Sequence, residues 1–123
     1  MEHYQNNPLK SFWMSYSIIP TDDFKRFFKK LFKKYPSLKE DLKELTDGLA
    51  DDYELGTSLG GNIYKIRFAI SSKNKGKSGG ARLIYLFVTD NNEIYLIHIY
   101  DKSDTDSISK KTIIQLLKNA GLS

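Results

Sequence analysis

The sequence places several cationic side chains where two neighbouring strands and the loop between them are expected to meet. Lys65 and Arg67 alternate with apolar residues in a strand-like run, and Arg82 follows a loop rich in glycine and lysine. Alternation puts Lys65 and Arg67 on one sheet face, about 6.5–7 Å apart, and a hairpin brings Arg82 back beside them. Cations held this close repel one another unless an anion lies between them. The pattern therefore predicts an anion site, for which an RNA phosphate is the natural ligand and Lys65 a candidate proton acceptor.

A plainer interpretation of the same cations stays open. They are then solvated side chains at a sheet edge, or ion-pair partners of acids such as Asp101. The loop of residues 71–80 has two interpretations as well. Its lysines, Lys73, Lys75 and Lys77, are predicted to follow an RNA backbone, which the loop glycines let approach closely. The alternative is an inert charged surface turn.

Two stretches resemble a nucleotide-binding and a metal-binding motif, but each lacks features that its motif requires. Gly76, Lys77 and Ser78 resemble the end of a nucleotide-binding P-loop, but position 71 is serine and a strand follows where a helix is required. Residues 101–106 resemble a calcium loop without its glycine, and Thr112 stands at its twelfth position. With two histidines and no cysteine in the chain, we predict no metal and no cofactor.

A second group of candidates lies at the end of the last predicted strand. His98 and Tyr100 share one strand face, where a histidine can protonate a leaving oxygen and a tyrosine can stack on a base. A hydrogen-bonded strand histidine and a packed tyrosine explain these two residues equally well. Lys102, just past the strand, is better placed to reach the other cations.

The charge of the chain is concentrated in one segment. Residues 55–89 carry six cations and no acid, whereas the remaining residues carry 19 − 6 = 13 cations against 15 acids. That concentration favours a polyanionic partner.

The 123 residues are expected to form one domain, 1–123, in which residues 1–12 are a loose extension. No apolar run is long enough to span a bilayer and the first nine residues are polar, so a cytoplasmic protein without membrane contact is expected.

The elements that must position these residues alternate in type along the chain. A strand over residues 12–19 ends at Pro20, and Thr21 caps a helix with an apolar stripe. Pro36 ends this helix, and Ser37 with Glu40 forms a capping box for a second helix, which completes a helical hairpin. Three strands follow, over residues 62–70, 82–89 and 93–100, with a turn at 90–92, and a last helix covers residues 107–120. The order β-α-α-β-β-β-α predicts an α+β domain with an antiparallel sheet.

Three stretches together resemble the RelE/ParE toxin superfamily, over roughly residues 14–120. They are Tyr-Lys-Ile-Arg-Phe-Ala from Tyr64, Lys-Gly-Lys-Ser-Gly-Gly-Ala-Arg with Leu-Ile-Tyr from Lys75, and Leu-Ile-His-Ile-Tyr-Asp-Lys from Leu96. The lysine–glycine loop is most similar to the HigB-type branch. The resemblance implies a RelE-like fold and a toxin that cleaves messenger RNA in the ribosomal A site and is neutralised by a cognate antitoxin.

The resemblance also implies roles for individual residues. A 2′-hydroxyl attacks the adjacent phosphate, which requires a base, cations at the charged transition state and an acid at the leaving oxygen. By position, Lys65 matches the strand lysine that is a candidate base and Arg67 the next strand cation. Arg82 matches the arginine held on the transferring phosphate, and Lys102 a further cation.

The chain departs from RelE at one point, because the stretch near Ile108 lacks the tyrosine of the terminal helix. Tyr85, His98 or Tyr100 is a possible substitute as acid or stacking residue, so the proton donor stays unassigned. Two alternatives to the nuclease also stay open. One is a ParE-like inhibitor that acts on DNA gyrase by protein contact, and the other is a non-catalytic RNA-binding module.

Overall fold

The computed structural model describes residues 16–74, 76–105 and 107–123. In chain order the helices and strands are β1 (Ser17–Pro20), α1 (Asp22–Lys34), α2 (Leu38–Asp51), β2 (Thr57–Gly60), β3 (Ile63–Phe68), β4 (Ala81–Val88), β5 (Glu93–Asp101) and α3 (Lys110–Asn119). Short 3-10 turns follow α2 at Tyr53–Leu55 and β3 at Ser71–Lys73. The predicted α+β class is confirmed.

No helix in the described ranges has the length and apolar character that crossing a membrane requires. The predicted extension of residues 1–12, and the part of the first predicted strand that precedes residue 16, lie outside the described residues.

The five strands form one sheet in the order β1-β5-β4-β3-β2. β1 pairs with β5 in parallel, and the other neighbours are antiparallel. The prediction of an antiparallel sheet was therefore wrong for one pair, because β1 pairs with β5, which the chain reaches in the same direction only after α1, α2 and the strands β2, β3 and β4. The sequence prediction also missed β2, whose four residues are all exposed and show no apolar alternation.

The helices cover both faces of the sheet. α1 and α2 pack mainly against one face, where Phe24, Leu38 and Leu49 meet the inward side chains of β3, β4 and β5. α3 covers part of the other face, where Ile113, Leu116 and Leu117 pack. This second face also carries the alternating positions of Lys65 and Arg67, so α3 lies on the same side of the sheet as the predicted anion site.

The helix starts are only partly as predicted. Thr21 accepts a hydrogen bond from the Phe24 N–H at 3.2 Å, which confirms the predicted cap of α1. The predicted capping box at Ser37 is wrong, because Ser37 has helical dihedrals and its side chain makes no cap bond. The Ser37 hydroxyl donates instead to Asp41 Oδ2 at 2.7 Å. α3 begins three residues later than predicted, where Ser109 accepts from the Thr112 N–H at 3.1 Å.

Candidate functional site: a cationic groove beside β3

The register of β3 and β4 brings the predicted cations together. Arg67 lies directly opposite Arg82, and Lys65 lies opposite Ile84. Residues that face each other across an antiparallel pair project to the same side of the sheet, so these three cations share one face. Lys65 is half-buried, Arg67 is exposed, and Arg82 is 5% exposed.

A groove with a volume of about 1230 Å³ runs along the outer edge of β3. Five cations line it: Lys65, Arg67, Lys77, Arg82 and Lys102. Two acids, Asp41 and Glu44, and an apolar wall that includes Leu45, Leu55 and Leu59 also line it. The cations thus meet in one groove, and β2 leaves the end of β3 uncovered there because its pairing with β3 stops at Lys65.

Arg82 is the most deeply buried of these cations. Its Nη1 donates to the backbone oxygens of Lys77 at 3.1 Å and Ala81 at 3.2 Å. Among the described residues, no acidic side chain forms an ion pair with it. Because a buried charge requires a compensating partner, this guanidinium favours an anion in the groove.

Two further cations complete the groove. The Lys102 N–H donates to the Gly80 carbonyl oxygen at 3.0 Å, which joins the residue after β5 to the residue before β4. Lys77 has an exposed side chain, and its carbonyl oxygen is the acceptor for Arg82. Both lysines line the groove, so cations approach it from the strands, from the loop and from the end of β5.

The loop lysines do not all behave as predicted. The Lys73 ammonium donates to Asp101 Oδ1 at 2.8 Å, and its side chain is 8% exposed. That position corrects the prediction of Lys73 as an RNA contact, since the ammonium is already paired and is absent from the groove lining. Lys75 lies outside the described residues. Of the three loop lysines, Lys77 alone is described as lining the groove.

Tyr85, a candidate acid or stacking residue, does not line the groove. Its side chain is fully buried on the sheet face that packs against α1 and α2. The Tyr85 hydroxyl donates to the Tyr53 carbonyl oxygen at 2.6 Å and accepts from the Gly56 N–H at 3.0 Å. Burial raises the pKa of Tyr85 to about 12. It is therefore a structural residue that anchors the chain before β2.

His98 and Tyr100 lie on the expected face but away from the groove lining. The His98 ring lies 4.1 Å from the Phe27 ring at an interplanar angle of 37°. Burial lowers the pKa of His98 to about 4, so the imidazole is neutral at pH 7. The Tyr100 hydroxyl is buried and, like His98 Nδ1, has no hydrogen-bond partner among the described residues. In this structure neither group is open to a ligand in the groove.

Sequence reasoning named Asp101 as an acid that could pair with a cation, but it missed the burial of this residue and its bond to Tyr35. The Asp101 carboxylate is completely shielded from solvent and accepts from Lys73 and from the Tyr35 hydroxyl, which lies 2.5 Å from Oδ2. An acidic residue that directly follows the apolar strand residues Ile99 and Tyr100 was the available signal for burial at Asp101. Nothing in the local sequence marks Tyr35 as its partner.

Comparison with known proteins gives one family and one fold. Residues 17–122 match the family model described as the RelE toxin of the RelE/RelB toxin–antitoxin system. A mutant of the E. coli toxin RelE in the free state matches with a TM-score of 0.56 at 16% identity, over 88% of this chain and 96% of that one. The isolated E. coli RelE toxin matches with a TM-score of 0.54 at 17% identity, over 85% of this chain and 98% of that one.

Proposed function

Because the chain belongs to the RelE toxins of RelE/RelB toxin–antitoxin systems, we propose that it is a ribosome-dependent endoribonuclease that cleaves messenger RNA. The observation that carries this proposal is Arg82, a buried guanidinium without an acidic partner among the described residues, at a groove lined by four further cations. One phosphodiester placed in this groove supplies the missing negative charge.

The groove residues suggest how the cleavage proceeds. Lys65 takes the proton of a 2′-hydroxyl as the oxygen attacks the adjacent phosphorus. Arg67 and Arg82 stabilise the negative charge that grows on the phosphoryl oxygens, and such donors contribute roughly 3–4 kcal/mol each. The bond from phosphorus to the 5′-oxygen then breaks, which leaves a 2′,3′-cyclic phosphate on one fragment and a 5′-hydroxyl on the other.

The leaving 5′-oxygen needs a proton donor. Tyr85, His98 and Tyr100 do not line the groove, whereas Lys102 does. We therefore assign the donor role to Lys102, whose protonated ammonium can pass a proton to the leaving oxygen. The reaction is then carried by two lysines and two arginines that line the same groove, with Lys65 as the base and Lys102 as the acid.

A toxin of this family is made together with an antitoxin, and the groove is the surface that such a partner has to neutralise. Its five cations favour an acidic segment of the antitoxin, which competes with the phosphates of RNA for the same side chains. The ribosome and the messenger RNA that it holds are the remaining partners in the proposal.

Controlled expression in a bacterial host tests this function. We expect growth arrest together with transcripts truncated at positions in phase with codons, and fragments that carry a 5′-hydroxyl. Arrest with intact transcripts and double-strand DNA breaks would support gyrase inhibition instead. RNA binding that weakens with salt, without growth arrest or cleavage, would support a non-catalytic RNA-binding module instead.

A further inference from the structure

The carboxylate at the end of β5 is bonded from three directions. Asp101 Oδ2 accepts from the Tyr35 hydroxyl at 2.5 Å, and Oδ1 accepts from Lys73 Nζ at 2.8 Å and from the Ser103 N–H at 3.0 Å. Lys73 Nζ also donates to Ser103 Oγ at 2.8 Å and lies 5.4 Å from the centre of the Tyr35 ring. Asp101, Lys73, Tyr35 and Ser103 are called the Asp101 cluster below.

The Asp101 carboxylate keeps its charge throughout the neutral pH range. Burial by itself raises the pKa of Asp101, but the hydrogen bonds from Lys73, Tyr35 and the Ser103 N–H outweigh it and lower that pKa to about 2. The hydrogen bond to Asp101, together with burial, raises the pKa of Tyr35 to about 12. The carboxylate therefore stays ionised, and the phenol keeps its proton.

The cluster joins three parts of the chain that are far apart in sequence. Tyr35 directly follows α1, Lys73 lies in the turn after β3, and Asp101 is the last residue of β5. From Asp101 the bonds continue to the groove, because the next residue, Lys102, donates its N–H to the Gly80 carbonyl oxygen at 3.0 Å.

The bonds then pass along the loop. The Gly80 N–H donates to the Lys77 carbonyl oxygen at 3.2 Å, and the same oxygen accepts from Arg82 Nη1 at 3.1 Å. Residues 76–80 contain only glycine, lysine and serine, so this stretch has no apolar side chain to pack. Its position over the groove therefore depends on polar contacts at its two ends.

We propose that Asp101 is a positioning residue, which together with Lys73 and Tyr35 holds Lys102 and Lys77 at the groove beside Arg82. A buried ion pair contributes little net stability compared with an apolar replacement, which favours a role in fixing geometry. The inference deepens the proposed function, since it concerns the placement of cations for the same phosphodiester.

Hydrogen–deuterium exchange of the free protein tests the positioning directly. We expect Lys73→Met to speed exchange at residues 76–82 and 102–105 at least tenfold more than it speeds exchange in the middle of β4 and β5. Lys73→Arg, which keeps the pair with Asp101, should restore most of the protection. Unchanged exchange in a folded Lys73→Met protein would overturn the proposal. If Lys73→Met does not fold, Tyr35→Phe, which removes one hydrogen bond to Asp101, replaces it in the same experiment. A smaller increase in exchange at the same residues is then expected, and unchanged exchange would overturn the proposal.

A cleavage assay on ribosome-bound messenger RNA tests the consequence. We expect Lys73→Met to lower the single-turnover rate at least tenfold and Lys73→Arg to recover it. The control is Ile94→Ala, which destabilises the opposite end of β5 and should leave both the rate and the exchange at residues 76–82 unchanged. A rate that falls equally in Ile94→Ala would overturn the positioning role.

The two assays separate this proposal from the proposed function. The exchange experiment contains no RNA, so it judges the Asp101 cluster even if the wild-type protein cuts nothing. Absence of cleavage by the wild type would overturn the nuclease and leave the exchange result standing. Cleavage by the wild type with wild-type exchange in the Lys73→Met protein would overturn the positioning role alone.

Discussion

Arg67 and Arg82 face each other across neighbouring antiparallel strands, with both guanidinium groups on the same side of the sheet. Like charges in directly opposite positions destabilise a sheet, and Arg82 is in addition almost completely buried. A folded protein retains such a pair at a cost in stability. The arrangement is explained if an anion binds between the two side chains and removes the repulsion.

The first prediction concerns the effect of such an anion on stability. Phosphate at ten times its dissociation constant should raise the free energy of unfolding of the wild type by ~1.4 kcal/mol, since it binds the folded chain alone. Arg82→Met should lose most of this increment, whereas Lys111→Met, on the exposed surface of α3, should keep it. Thermal unfolding at constant ionic strength, with chloride as the reference salt, measures the difference. An equal phosphate effect on stability in Arg82→Met and the wild type would show that the anion does not bind at Arg82.

The second prediction compares two buried tyrosines. Tyr85→Phe removes two hydrogen bonds and leaves Tyr53 and Gly56 backbone groups without their partner, so it should lower the free energy of unfolding by about 1–3 kcal/mol. Tyr100→Phe removes a buried hydroxyl that has no partner among the described residues. This change should raise the free energy of unfolding by about 1 kcal/mol.

Urea denaturation of both variants measures these changes. Tyr100→Phe should also cleave RNA at the wild-type rate, because the Tyr100 hydroxyl is not open to the groove. Loss of cleavage in that variant, with stability intact, would show that the phenol is the proton donor and that Lys102 is not.

The third prediction concerns acid. In the unfolded chain His98 takes up a proton near pH 6.5, whereas burial lowers the pKa of the folded protein's His98 to about 4. Between these values the unfolded chain binds more protons, so the free energy of unfolding falls as the pH drops from about 6.5 to about 4. The loss is at most roughly 3 kcal/mol. Denaturation at several pH values should show this fall in the wild type and a flatter profile in His98→Phe; equal slopes would contradict the burial of a neutral imidazole.

The fourth prediction concerns the glycine at the start of β4. A Cβ on Gly80 would clash with the Phe68 carbonyl oxygen, which belongs to a strand and cannot move aside. Gly80→Ala should therefore destabilise the protein severely, by about 4 kcal/mol or more. Gly61→Ala is the control, since Gly61 has a φ of +60° but open space around it, and should cost only about 1 kcal/mol. Chemical denaturation gives both values, and a well-folded Gly80→Ala protein would refute the close approach.

Short-range sequence patterns predicted that Arg67 and Arg82 face each other, but they did not predict the ion pair between Lys73 and Asp101. Strand alternation and a hairpin are short-range features, and they place Arg67 opposite Arg82 without knowledge of the rest of the fold. Lys73 was misassigned because its partner, Asp101, is 28 residues away and meets it only after β3, β4 and β5 have paired. The burial of Tyr100 depends likewise on α3, which packs over its face of the sheet. Side chains whose environment comes from distant elements are those that local patterns describe worst.

The decisive experiment is the single-turnover cleavage rate of ribosome-bound messenger RNA with Arg82→Met. We expect a fall of about 100- to 1,000-fold, as for the loss of one donor to a charged transition state. Lys111→Met should retain the full rate, and binding to the ribosome should persist in both variants. Cleavage by Arg82→Met at the wild-type rate would contradict the assignment of the scissile phosphate to this groove.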